Sequence, residues 1–221
     1  MYNITLICTI HEEKGAFNLD ALYKILEIVN PEIIFEEIPP YAFDEFYKDK
    51  TRNNLETDVI NKYLENHVTE HVPVDYDFTL PQSFFKEHEH IHRRVEARSH
   101  IYKNLIDAHS TLVKQYGLKF LNSTECININ KQIDEEIEIV LQLINNEKLI
   151  KINNYWNEFM EKHENEMIKN IYSYAMEHQF ERGLFIIGAA HRGSIIDKIM
   201  QYPETEKIKV NWNYSNYENI L

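Results

Sequence analysis

The sequence predicts an α/β protein whose central sheet is mixed but largely parallel and is flanked by long helices. Short apolar runs alternate along the chain with longer stretches in which apolar residues recur at helical spacing. This alternation is typical of strands joined by helical crossovers, which make neighbouring strands parallel. The apolar share of 43% is ordinary for a globular protein, and no linker-like segment divides the chain. We therefore expect one domain over residues 1–221, with a helical insertion at about 82–178.

The first part of the chain predicts three strands. Residues 4–10 read ITLICTI and predict a buried strand, after which apolar residues follow at helical spacing. Asn18 is the expected N-cap of that helix, with Asp20 in its first turn. The segments 32–38 and 71–78 predict the second and third strands, and a pair of prolines ends the second.

The rest of the chain predicts long helices followed by a last core strand. Residues 82–116 predict one long helix or two shorter ones, and 118–122 predict a further strand. Residues 131–179 are expected to be helical, and the sequence LFIIG at 184–188 predicts the final core strand. One face of the 131–179 helical stretch carries Trp156, Phe159, Met160, His163, Met167, Ile171 and Tyr174.

Charge and cysteine content exclude several classes of function. The formal charge of −13 repels phosphate, and the scattered Lys and Arg residues form no basic stripe, so we expect no nucleic-acid and no membrane partner. The chain shows no signal-like segment and no membrane-length apolar run, which predicts a cytoplasmic location. Cys8 and Cys126 are too few for a disulfide framework or a thiolate zinc cluster.

Each strongly predicted strand ends in side chains that can do chemistry. In open α/β sheets, ligands bind beyond the carboxyl ends of the strands. Two imidazoles and a carboxylate there are a typical set for a divalent metal with positions left open for water. In chain order these groups are His11, Glu36 with Glu37, Asp75 with Tyr76, and His191.

The surroundings of His191 and Glu37 favour a functional role. Gly188 lets the backbone approach a ligand closely, and the start of a following helix disfavours a protonated imidazole at 191. Ser194 and Asp197 are spaced as a capping box for that helix. A carboxylate at the end of an apolar strand is rarely buried unless it is paired or bound. Because Glu36 and Glu37 point to opposite faces of an extended strand, we expect one of them to be solvated.

A competing motif lies at residues 88–92, HEHIH. It satisfies HExxH, in which two histidines one helical turn apart hold zinc and the glutamate is the general base. The segment 84–100 offers few apolar residues for a buried cleft and no plain third ligand. We therefore expect a solvated, histidine-rich helix there.

Four segments, ITLICTIH, PEIIFEEI, HENEMIKNI and LFIIGAAHRGSI, resemble the TraB/Tiki/ChaN/erythromycin-esterase group. The resemblance covers both ends of the chain and implies the group's α/β fold and a site of His11, Glu37 and His191. In the Tiki branch this set serves a metal-dependent peptidase, in the esterase branch His and Glu activate water, and other branches bind haem. Two positions depart from the pattern: Cys8 stands where the group usually has Gly, and His163 where it has Arg.

These observations together predict a hydrolase of peptidase or esterase type that acts on a small molecule or a peptide. Its water would be activated between His11, Glu37 and His191, which would also hold one divalent ion such as Mn²⁺, Co²⁺ or Zn²⁺, with haem as the alternative cofactor. The rival functions are a non-catalytic binder of haem, metal or a small ligand, and a catalytically silent scaffold. Further candidate residues are Glu36 and His163 for catalysis, and Asp75, Tyr76 and Arg192 for substrate binding.

Overall fold

The computed structural model describes residues 2–202 and 209–214 and confirms the α/β class. Five strands form one sheet in the order β3-β2-β4-β1-β5, and every pairing is parallel, so the described part of the sheet is not mixed. Parallel pairing requires crossover connections, and long helices supply them. The strands are β1 (Tyr2–Thr9), β2 (Ile33–Glu36), β3 (Glu70–Pro73), β4 (Arg182–Gly188) and β5 (Val210–Asn213).

Helices flank the sheet, and five of them fill the chain between β3 and β4. The predicted cap of the first helix is confirmed, because the Asn18 side chain accepts the backbone N–H of Ala21. None of the described helices is both long and apolar enough to cross a bilayer. The helices are α1 (Leu19–Val29), α2 (Phe43–Tyr47), α3 (Leu55–Leu64), α4 (Gln82–Glu96), α5 (His100–Tyr116), α6 (Leu118–Leu121), α7 (Thr124–Ile144), α8 (Glu147–Glu177) and α9 (Arg192–Gln201).

Several predicted boundaries were wrong for local reasons. Residues 118–122 form the short helix α6 and its cap, since a five-residue apolar run has no periodicity that separates helix from strand. The Asn122 side chain then hydrogen-bonds the backbone N–H and C=O of Cys8 in β1. The 131–179 stretch is divided at Asn145, whose left-handed backbone ends α7. The strand β5 follows β4 in sequence and was not predicted.

The predicted capping box after β4 is also wrong. A single turn of 3₁₀-helix at residues 189–191 leads directly into α9, which therefore begins at Arg192. Ser194 lies inside the helix, and its hydroxyl donates to the Glu164 carboxylate of α8. This serine connects two helices instead of capping one.

Two hydrophobic clusters occupy different regions of the described molecule. The larger cluster packs around the sheet, on residues such as Ile7, Phe35 and Phe185. The smaller cluster lies between α4, α5, α7 and α8 and includes Ile91 and Tyr102. Helix α4 is therefore packed along one side, which is a first departure from the solvated helix predicted there.

Candidate metal centre at the carboxyl edge of the sheet

Three side chains from distant parts of the sequence converge where β2 and β4 end. Glu37 directly follows β2, His191 ends the 3₁₀ turn after β4, and His163 lies in the middle of α8. One ligand atom from each residue lies within 4.8 Å of the others, so the three could hold one metal ion. Both histidines are buried and Glu37 is half-buried, as expected for a site at the strand ends of an α/β sheet.

Glu37 is fixed by the backbone that leaves β4. Its Oε2 accepts the N–H of Gly188 at 2.6 Å. A Cβ at position 188 would lie 3.3 Å from that same oxygen, which is tighter than an ordinary contact, so a glycine suits the close approach. The other oxygen, Oε1, faces Nε2 of His163 at 3.4 Å and Nε2 of His191 at 3.3 Å.

Each imidazole is oriented by a second carboxylate through its other nitrogen. His163 Nδ1 lies 2.7 Å from Asp75 Oδ1, and His191 Nδ1 lies 2.8 Å from Glu164 Oε1. These contacts are much shorter than those to Glu37, so the Nδ1–H bonds belong to Asp75 and Glu164 and both Nε2 atoms face Glu37. A carboxylate behind each histidine is the usual arrangement around metal-binding imidazoles.

Two of the three separations between the facing atoms fit a metal ion. Ligand atoms about 2.0–2.1 Å from a tetrahedral zinc ion lie about 3.3–3.4 Å apart along an edge of the tetrahedron. The separations from Glu37 Oε1 to the two Nε2 atoms match this value. Two imidazole nitrogens and one carboxylate oxygen leave a fourth position for water, as in catalytic zinc sites.

Without a metal the same groups form an ion-pair network. Burial lowers the pKa of His163, but its contacts with Asp75 and Glu37 outweigh burial and raise that pKa to about 9. For His191, burial is likewise outweighed by Glu37 and Glu164, which raise the pKa to about 10. Burial raises the pKa of Glu37, yet the two imidazoles hold it well below its usual range. A metal ion would therefore have to displace two protons.

His11, expected among the metal ligands, lies outside this group. Its side chain is 63% exposed, and its Nδ1 lies 3.4 Å from Glu56 Oε1 on α3. That contact raises the pKa of His11. His11 nevertheless lines the same narrow cleft as Glu37, so it lies beside the candidate metal group. The third member of that group is His163 and not His11.

Glu36 is not solvated, contrary to expectation, and neither is Glu37. Glu36 is 3% exposed; Tyr47 donates its hydroxyl to it, and His71 Nδ1 lies 2.8 Å away. Burial raises the pKa of Glu36, and His71 and Tyr47 oppose that shift. Partners from α2 and β3 thus allow the Glu36 carboxylate to be buried, a long-range effect that strand alternation does not reveal.

The three predicted substrate-facing residues have different surroundings. Asp75 belongs to the site as the partner of His163, and Tyr76 packs against Phe78 and Phe159 beside it. The prediction for Arg192 was wrong. Its guanidinium is buried, with Nη2 donating to the carbonyl oxygen of Tyr214 at 2.6 Å. Arg192 is the first residue of α9, and the bond to Tyr214 places its guanidinium next to the end of β5.

The HEHIH segment forms part of α4 and does not build a metal group of three. His88 is buried and stacks on Trp156 at a ring-centroid distance of 4.2 Å, and Glu89 is exposed. His92 Nδ1 lies 2.9 Å from the Tyr102 hydroxyl. Within residues 2–202 and 209–214, the Glu37, His163 and His191 group alone combines three ligand atoms at metal spacing. The predicted solvated helix is therefore wrong for His88, whose aromatic neighbours cover it.

Sequence reasoning missed Glu164 and Glu56 as site residues. The sequence signal for Glu164 was its position next to His163, because neighbouring residues on a helix point about 100° apart and can reach two sides of one site. Glu56 had a weaker signal, as the second residue of a helix that starts after a possible Asn54 cap.

Comparisons with models of known protein families, with curated proteins and with solved structures find no match to this chain. The resemblance to the TraB/Tiki/ChaN/erythromycin-esterase group thus remains an expectation carried by the quoted segments, and the function has to be argued from the site.

Proposed function

We propose that the protein is a metal-dependent hydrolase that binds one divalent ion through Glu37, His163 and His191. The observation that carries the proposal is the double convergence on Glu37 Oε1. Each histidine presents Nε2 to that oxygen at 3.3–3.4 Å while a carboxylate takes its Nδ1. A purely structural ion pair needs one histidine and one carboxylate, whereas this arrangement uses two histidines and three carboxylates around one point.

The charges of the surrounding groups also favour a cation. Asp75 and Glu164 together with Glu37 supply three carboxylates, and two neutral imidazoles would leave the group negative. A divalent ion held there would act as a Lewis acid and lower the pKa of a bound water to near neutrality. The adjoining cavity measures only about 20 Å³, which favours an ion over haem.

The residues around the group have separate roles in the proposed reaction. Asp75 and Glu164 hold the two ligand rings in orientation. His11 lines the cleft with its Nδ1 beside Glu56, and its other ring nitrogen would take a proton from water and pass it to the leaving group. His11 acts as a base only when its ring is neutral, so activity should rise with pH through its raised pKa.

A metal-free hydrolase is the second candidate, and one observation favours it. The ion-pair network satisfies Glu37 completely, with Gly188 N–H on one oxygen and two imidazoles on the other. In that case Glu37 and the histidines would polarise water without an ion, as the esterase resemblance implies. The non-catalytic alternatives, a metal-binding protein and a silent scaffold, predict no hydrolysis in either form.

The test is hydrolysis of 4-nitrophenyl acetate and of alanine 4-nitroanilide by protein stripped with a chelator and reloaded with Mn²⁺, Co²⁺ or Zn²⁺. We expect hydrolysis only in the reloaded protein, and its loss in Glu37→Gln and His191→Gln. His92→Gln is the matched control, since it removes an imidazole from α4, and it should retain full activity. Equal activity before and after stripping would select the metal-free candidate, and activity that survives His191→Gln would exclude both.

A further inference from the structure

Glu56 carries a buried carboxylate oxygen that the protein leaves without a partner. The residue is 8% exposed and its side chain 10% exposed, yet Oε2 has no hydrogen-bond partner. Buried polar atoms almost always have one, and an unpartnered carboxylate oxygen is among the most costly exceptions. This oxygen therefore indicates a missing donor.

Two neighbouring donors contact the other oxygen of Glu56. Thr9 donates its hydroxyl to Oε1 at 2.6 Å, and His11 Nδ1 lies 3.4 Å from the same atom. Both contacts fix the orientation of the carboxylate and leave Oε2 turned away from them. Glu56 is the second residue of α3, and a helix N-terminus favours negative charge without giving Oε2 a hydrogen bond.

The space beside Glu56 has room for one small group. The narrow cleft lined by Glu56 also contains Glu36, Glu37 and His11, and its cavity measures about 20 Å³. A single water requires about 10–15 Å³ by this measure, so the cavity accepts one group of that size. An ammonium group is that small, and the rest of its molecule would extend through the open mouth of the cleft.

We infer that Glu56 Oε2 binds the primary ammonium group of the substrate, so that the enzyme cleaves a bond close to a free amino group. Peptides and small aminoacyl compounds form the substrate class. That the bound molecule is a substrate rests on the proposed function. The binding of its ammonium group to Glu56 does not depend on a metal.

Charge favours an ammonium group over a hydroxyl group or a second metal ion. Three carboxylates, those of Glu36, Glu37 and Glu56, line one cleft in a protein with a formal charge of −13. An ammonium group supplies both the missing N–H and a positive charge. A second metal ion would need three ligand atoms close together, and among the described residues Glu56 belongs to no such group.

The inference is tested by NMR titration of the metal-free, full-length protein with two probes. Glycinamide carries a primary ammonium group, and N-acetylglycinamide is the same compound with that group blocked. We expect glycinamide to bind at least about 10-fold more tightly, the value of one hydrogen bond to a charged group. The shifted resonances should include those of Thr9 and His11.

Variants separate Glu56 from general charge effects. Glu56→Gln should reduce glycinamide affinity about 10-fold and leave N-acetylglycinamide affinity unchanged. Glu65→Gln, at the exposed end of the same helix, is the matched control and should bind both probes as the parent does. Should Glu56→Gln fail to fold, the comparison of the two probes on the parent protein still decides the matter.

Equal affinity of the parent for the two probes would overturn the inference, as would glycinamide binding that does not depend on Glu56. A Zn²⁺ titration of the same samples keeps this result apart from the proposed function. Loss of Zn²⁺ binding to the Glu37 group with intact discrimination between the probes would reject the hydrolase proposal alone. Zn²⁺ binding without discrimination would reject the ammonium site alone.

Discussion

Two pairs of histidines in this protein have opposite surroundings. His163 and His191 at the sheet edge each contact two carboxylates, and their pKa values are raised to about 9 and about 10. His88 and His92 on α4 pack among aromatic rings, and burial lowers the pKa of His88 to about 4. The sequence motif is stronger in the α4 pair, yet the metal-like geometry belongs to the other. Partners from distant segments, more than local spacing, make a histidine a candidate ligand.

Removal of one histidine from each pair should give the largest difference in Zn²⁺ affinity. We predict that His191→Gln weakens Zn²⁺ binding about 100-fold or more, since even an orienting partner is worth about 10–100-fold. His92→Gln should leave the affinity unchanged. The measurement is a Zn²⁺ titration by calorimetry, and an equal loss in both variants would mean that the metal binds at neither group selectively.

Replacement of Asp75 or Glu164, the carboxylates that contact Nδ1 of the two histidines, should have the next largest effect on Zn²⁺ binding. Asp75→Asn and Glu164→Gln each retain the size of the side chain but weaken the orientation of one imidazole, so we predict about 10–100-fold weaker Zn²⁺ binding. Glu166→Gln is the matched control, because Glu166 also lies on α8 and pairs with exposed Lys169. If Glu166→Gln weakened binding as much as Glu164→Gln, general loss of negative charge would be the cause.

The two pairs should also respond oppositely to pH in the metal-free protein. The pKa of His163 is raised, so its contribution to the free energy of unfolding is complete below about pH 6.5 and is lost as pH rises through about 9. The pKa of His88 is lowered, so its cost appears as pH falls from about 6.5 toward 4. We expect each histidine to change the free energy of unfolding by about 1–3 kcal/mol over its pH range.

Urea denaturation from pH 4 to pH 10 measures both contributions. His88→Gln should remove the acid-side loss and keep the alkaline-side loss. His163→Gln should keep the acid-side loss and reduce the alkaline-side loss to the part that His191, with its pKa raised to about 10, still contributes. The same loss at acid pH in the parent and in His88→Gln would show that the α4 pair does not titrate as its burial requires.

His11→Gln should have the smallest effect on the fold. Because its side chain is 63% exposed, we predict a change in the free energy of unfolding within about 0.5 kcal/mol and an unchanged Zn²⁺ affinity. The rate of hydrolysis should still fall, since His11 would carry the proton. A large loss of Zn²⁺ affinity in this variant would restore His11 as a ligand.

Sequence reasoning located the site because strand ends are predictable. Apolar runs fixed the ends of β2 and β4 to within two residues, and Glu37 and His191 follow from them. His163 followed from its place on the apolar face of a predicted helix.

What the sequence could not predict were contacts between distant segments. The pairs of Glu164 with His191 and of Glu56 with His11 join elements 27 and 45 residues apart in sequence. Arg192 illustrates the opposite error: it is next to a site residue in sequence, yet its side chain is buried and bonded to Tyr214. Side-chain direction depends on the exact residue at which a helix starts, and sequence patterns determine that start only to within a few residues.

The central claim is that Glu37, His163 and His191 hold one divalent ion, and anomalous scattering from crystals soaked in Zn²⁺ tests it most directly. We predict a peak about 2.0–2.2 Å from Glu37 Oε1 and from Nε2 of both histidines. The ion should remain there in His92→Gln and be absent from His191→Gln. A peak at His88 and His92, with none at the sheet edge, would contradict the claim.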